Sequence, residues 1–177
     1  MAGHSCLASD LSKRESKMAI TIPNGLAQIL DIYGDPRSAD GALDKTWYRA
    51  NIKIFQFPHT MVQSWGKRPM VKRFEAHRLV GQLIVDALAD LYDLLGDEVI
   101  AQNGWNEWGG CFNFRIMRRG ALLSTHSWGI ACDVNPTANP LRSTVDHQPK
   151  ELVDAFLKRG FERIADDLMH FQLCTGY

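Results

Sequence analysis

Apolar residues between Val71 and Leu95 fall mainly on one helical stripe, made of Phe74, Leu79, Leu83, Ile84, Leu88, Leu91 and Leu94. The pattern predicts the main core helix over this range, with Gly96 as its stop. A shorter helix is expected at GLAQILDIYG, opened by Pro23 and closed by Gly34, and another at PKELVDAFLKRG, opened by Pro149 and closed by Gly160. Strand-like alternation marks four other places. WYRANIKIFQF shows it imperfectly over Ile52, Ile54 and Phe57, and the stretch from Asp35 to Lys45 before it reads as a loop. GGCFNFRIM reads as a strand ending at the turn RRG, GIACDVN as a second strand ending before Pro136, and MHFQL as the last. Helices early and strands late predict an α+β fold: a single domain with a small antiparallel sheet flanked by helices.

The 177 residues suffice for one domain with a proper core, and 45% hydrophobic against 23% charged residues is ordinary globular composition. The opening MAGHSCLASDLSKRESK is polar and of mixed charge, so residues 1–22 are expected to form a disordered tail and 23–177 the domain. That opening lacks the apolar core of a secretory signal, and no apolar run reaches the roughly eighteen residues of a membrane span. Synthesis in the cytoplasm without stable membrane association is expected. Twenty basic and twenty acidic side chains cancel, which gives no general attraction to nucleic acid. Cys6, Cys111, Cys132 and Cys174 form no CxxC pair and read as free thiols.

Candidate chemistry gathers late in the chain. In STHSWGIACDVN, His126 precedes the strand and Asp133 lies within it; alternation puts Ile130, Cys132 and Val134 on one face, Asp133 and Asn135 on the other. His170 heads the final strand, three residues after Asp167. Imidazoles and carboxylates are ligands that suit zinc, whose catalytic sites take three groups from the protein and leave one position open. Taken singly, His126 reads as a loop histidine, Asp133 as a turn residue, and Asp166 with Asp167 as a solvated corner. His59, His77 and His147 stand outside any motif, and Trp105, Trp108 and Trp128 read as core or rim packing.

Ser124-x-His126, followed by Gly129, Ala131 and Asp133, resembles the S-x-H-x-x-G-x-A-x-D signature of the D-alanyl-D-alanine carboxypeptidase and L-alanyl-D-glutamate endopeptidase superfamily. Asp167-Leu168-Met169-His170-Phe171 is similar to its second signature, D-x-M-H-F, and the preceding GGCFNFR resembles the phage endolysin-like branch. The resemblance implies one zinc ion per chain held by His126, Asp133 and His170, with Asp167 as general base. It implies Arg115, on the strand before the first signature, as oxyanion stabiliser, and Ser124 as a residue orienting the site through a hydrogen bond. The implied activity is hydrolysis of peptidoglycan stem peptides by an L-alanyl-D-glutamate endopeptidase, or by a D-alanyl-D-alanine carboxypeptidase, with a catalytically weak zinc-stabilised wall-binding module as the non-enzymatic alternative. A monomer that reaches the periplasm or cell wall with help from a holin-type release partner completes the expectation. The chain departs from the endolysin-like pattern in one place: only Phe161 to Asp166 separates the last helix from the second signature, where relatives carry a longer glycine-rich loop.

Overall fold

The computed structural model describes residues 21–118 and 120–177. The expected N-terminal tail lies, up to residue 20, outside the described residues. In chain order the elements are α1 (Gly25–Tyr33), α2 (Lys45–Asn51), β1 (Ile52–Gln63), β2 (Met70–His77), α3 (Gly81–Gln102), β3 (Glu107–Gly110), a 3-10 turn (Thr125–Trp128), β4 (Ala131–Val134), α4 (Lys150–Leu157), β5 (Glu162–Ile164) and β6 (Asp167–Gln172). The strands form one six-stranded sheet in the order β2-β1-β3-β4-β6-β5.

The fold is α+β in a single domain, but the sheet is mixed rather than antiparallel. β1 and β3 run parallel, Val62 opposite Glu107 and Gln63 opposite Trp108, while the other four pairings are antiparallel. The cause is connectivity. The β1–β2 hairpin hands the chain to α3, which lies against β1 and returns it to the far side of that strand, as a parallel neighbour requires.

Three segments differ from the sequence expectation. The helix predicted from Val71 begins at Gly81, because residues 70–77 pair with β1, Phe55 opposite Phe74 and Lys53 opposite Ala76. Gly96 does break the helix, with φ 79 and ψ 155 inside the span that ends at Gln102. A helix precedes β1 where none was expected: Asp44 caps α2 by accepting from the N–H groups of Thr46 (2.7 Å) and Trp47 (3.3 Å). The predicted GGCFNFRIM strand is short, since only Glu107–Gly110 pairs and the chain from Cys111 to Arg115 is irregular.

The core lies where α3 and α4 pack on each other and on the sheet. Phe57 and Phe74 stack at 4.7 Å between ring centres with Trp108 against both, and Phe156 of α4 stacks on Phe171 of β6 at 4.4 Å. Phe171 therefore turns into the core, and its neighbour His170 is turned the other way. Cys111, Cys132 and Cys174 are buried free thiols, with Cys132 fully enclosed among apolar neighbours as its alternation predicts. Among the described residues no helix is long and apolar enough to cross a membrane.

Candidate metal centre

His126 sits in the 3-10 turn, whose geometry follows from its closing residue. Gly129 has φ 67, and a Cβ there would lie 2.7 Å from the backbone nitrogen of His77, which itself donates to the Gly129 carbonyl at 2.9 Å. Only glycine fits such an approach, so the signature glycine is a packing requirement. Trp128, fully buried in the same turn, anchors it by donating its indole N–H to the Gly34 carbonyl at 2.8 Å.

The turn leads directly into β4, where Asp133 pairs across the sheet with His170 of β6. Directly opposed residues of an antiparallel pair project from the same face, so the register alone brings carboxylate and imidazole together. On the other side β3 clears the space, because a Cβ on Gly109 would come 2.7 Å from Asp133 Cβ. Asn135 does not share the Asp133 face as expected: β4 ends at Val134, and Asn135 takes a left-handed turn (φ 53) that buries its amide, where it accepts from the Glu107 N–H and donates to Gln148.

His126, Asp133 and His170 each offer one ligand atom, and these atoms lie within 4.8 Å of one another, so the group could hold a metal ion. Asp133 Oδ1 lies 3.2 Å from His126 Nε2 and 2.9 Å from His170 Nδ1. The outer nitrogens are also engaged. His126 Nδ1 donates to the Cys111 carbonyl at 2.6 Å, and a carbonyl can only accept, so the proton sits on Nδ1 and the lone pair on Nε2. His170 Nε2 lies 3.2 Å from Gln172 Oε1 and 3.2 Å from the Thr125 hydroxyl. The Gln172 amide nitrogen faces the carbonyl of Cys174 at 3.4 Å, which leaves its oxygen to accept from His170.

Both rings thus present an inward lone pair beside one carboxylate oxygen. Filling those positions with protons would bury two imidazolium ions against a single carboxylate; a divalent cation satisfies all three groups at once, and the donor set suits zinc. With protons in place of a cation, burial would push the Asp133 carboxyl up, but the His126 charge and hydrogen bond, with those of His170, would hold it well below the usual carboxylate range. Burial lowers His170, but the hydrogen bond and charge of Asp133 outweigh it and leave it raised.

A cleft of about 540 Å³ opens onto two of the three, Asp133 and His170, and is lined among others by Arg115, Ser124, Thr125 and Asp167. Asp167 is half-buried there, and its Oδ1 is a buried atom with no hydrogen-bond partner. Desolvation by burial raises its pKa above the ordinary value, partly offset by His170. Asp166 is exposed and its carbonyl is occupied by the Arg142 N–H at 2.7 Å. Arg115 reaches the cleft from irregular chain rather than from a strand. Its backbone is pinned to the metal-site turn, the Ser127 hydroxyl accepting from its N–H and the Ser124 N–H donating to its carbonyl, both at 2.9 Å.

Residues 118–173 match the family model for D-alanyl-D-alanine carboxypeptidase. The match supports the zinc peptidase superfamily. It covers less than half of the chain, contains both signatures and leaves Arg115 outside. A stretch of 104 residues is 28% identical to an arginine–tRNA ligase of Baumannia cicadellinicola subsp. Homalodisca coagulata, over 52% of this chain and 18% of that protein. The chain thus spans less than a fifth of that relative's length. No solved structure matches the chain.

The Ser124 side chain does not cap the turn that it precedes, and the hydroxyl that meets His170 belongs to Thr125. Sequence reasoning missed Thr125, Gln172 and the Cys111 carbonyl as neighbours of the imidazoles. Gln172 was within reach of it, being two residues past His170 in a strand and so on the same face; the carbonyl carries no side-chain signal at all.

Proposed function

We propose that the chain is a zinc-dependent peptidase that hydrolyses peptidoglycan stem peptides, an L-alanyl-D-glutamate endopeptidase of the endolysin-like kind, with D-alanyl-D-alanine carboxypeptidase as the second reading. One observation carries this: the His126, Asp133 and His170 donors converge, and Asp133 and His170 line a cleft that also contains a carboxylate with an unpartnered oxygen, Asp167. A zinc-stabilised binding module needs the first half of that arrangement and has no use for the second.

In this reading His126 Nε2, Asp133 and His170 Nδ1 hold one zinc ion per chain, which supplies Lewis-acid polarisation of the scissile carbonyl and acidifies water. Asp167 takes the proton of the attacking water and delivers it to the leaving amine. Burial raises its basicity toward the working pH, which suits that exchange. Arg115 faces the developing oxyanion with a fixed positive charge. Thr125 and Gln172 hold the His170 ring, the Cys111 carbonyl holds His126, and Ser124 lines the wall beside them. The protein would act as a monomer in the periplasm or wall, after passage through a lesion made by a holin-type partner.

The test combines elemental analysis with digestion of purified peptidoglycan and mass spectrometry of the new amino termini. Wild type should contain about one zinc per chain and expose D-glutamate amines, whereas release of free D-alanine alone selects the carboxypeptidase. Asp167→Asn should lower hydrolysis by a factor on the order of 10² or more while zinc content stays near that of wild type. Unchanged hydrolysis in that variant would remove Asp167 as the base.

A further inference from the structure

Arg142 has a backbone conformation that few non-glycine residues adopt. In the loop between β4 and α4 it sits at φ 68, a left-handed geometry that is strained for an L residue. Its N–H donates to the carbonyl of Asp166, next to the proposed base, at 2.7 Å. The strained residue belongs to the wall of the metal cleft, where it joins Arg115 and Arg118.

Among the described residues none of these three guanidinium groups forms an ion pair. With a divalent cation held by the triad, three arginines and the ion outweigh the cleft's Asp133, Asp166 and Asp167, so it carries a surplus of positive charge. One cation suffices for a developing oxyanion. A further guanidinium, planar and bidentate, matches a carboxylate already present on the substrate.

Both candidate substrates supply one at the same place. In an L-alanyl-D-glutamyl bond and in a D-alanyl-D-alanine terminus alike, the carbon attached to the scissile nitrogen bears a free α-carboxylate. We infer that Arg142, held by Asp166 in the cleft that Arg118 also lines, is the specificity-determining residue that receives the α-carboxylate of the leaving residue. This rests on the peptidase reading above, and it adds a binding requirement that the metal triad and Asp167 do not impose.

The test is calorimetric binding to the zinc-loaded full-length Asp167→Asn protein of two ligand pairs: N-acetyl-L-alanyl-D-glutamate against its α-amide, and N-acetyl-L-lysyl-D-alanyl-D-alanine against its C-terminal amide. In at least one pair the acid should bind about tenfold or more tightly than the amide, as a charge-assisted contact implies; the pair that shows it distinguishes the two bonds. Adding Arg142→Gly, which suits a left-handed position and so threatens the fold least, should erase the difference, and Arg142→Lys should keep part of it. In otherwise wild-type enzyme, Arg142→Gly should raise KM for the acid and leave kcat much less affected. Equal binding of acid and amide, no binding of either, or a preference that survives Arg142→Gly overturns the inference. Acid preference in a wild-type protein that cleaves neither peptide would instead remove the peptidase reading and leave the carboxylate site standing.

Discussion

His77 shows how far burial can shift a single group. It is fully enclosed, meets the edge of Tyr33 at 4.9 Å, and keeps Nε2 without a partner. Burial, helped by the Arg78 charge, pushes its pKa down to about 4. Below the ordinary histidine range the unfolded chain takes up a proton that the folded ring refuses, so stability is complete above about pH 6.5 and is lost as the pH falls toward 4. Between pH 7 and 5 this one group should cost about 2 kcal/mol, read as a urea-midpoint shift that His77→Phe lacks. Asp167 makes the opposite kind of prediction, on rate. A base must be deprotonated, and its pKa is raised by burial, so kcat/KM should climb with pH along an acid limb lying above the usual carboxylate range. An acid limb at ordinary carboxylate pH would show that Asp167 does not govern it.

Among the elements, β3 and β4 explain why two glycines accompany the site. Gly109 lets one strand pass the Asp133 side chain, and Gly129 lets the 3-10 turn touch the backbone at His77. Gly109→Ala places a methyl group against Asp133 Cβ and should weaken zinc binding about tenfold, as loss of ligand orientation does, in a chelator-competition titration. Retained affinity would mean that β3 yields and Asp133 stays. The same scale shows where sequence patterning fails. Phe74, Leu79 and Leu83 satisfy a helical stripe, yet β2 exists because β1 offers seven register partners across the hairpin. Pairing with a neighbour outweighs local periodicity when the segment is short, and Pro58 sits in the bulged part of β1 that further blurs its alternation.

For the whole molecule, the candidate metal centre joins parts of the chain that are far apart: the turn at His126, β4 and β6. A cation bound there favours only the folded state, so its removal should destabilise the entire domain. Chelation by EDTA followed by dialysis should lower Tm, and stoichiometric zinc should restore it. An unchanged Tm would argue against metal binding by the triad. The short Phe161–Asp166 segment also makes sense at this scale, since it folds into β5 and the turn into β6, the hairpin at one edge of the sheet.

Sequence by itself determined the residues available for the chemistry, the glycines that permit tight approaches, and the apolar positions of α1, α4 and the later half of the core. Each of these depends on contacts within a few residues or on the chemistry of a single side chain. Tertiary structure alone decided the parallel β1–β3 pairing, the strand character of residues 70–77, the irregular path that delivers Arg115, and the Cys111 carbonyl that fixes His126. It also brought Arg142 and Arg118 to the cleft wall. Those outcomes depend on which backbone groups meet across the sheet, and hydrogen-bond partners distant in the chain leave no periodic trace in the residues that they join.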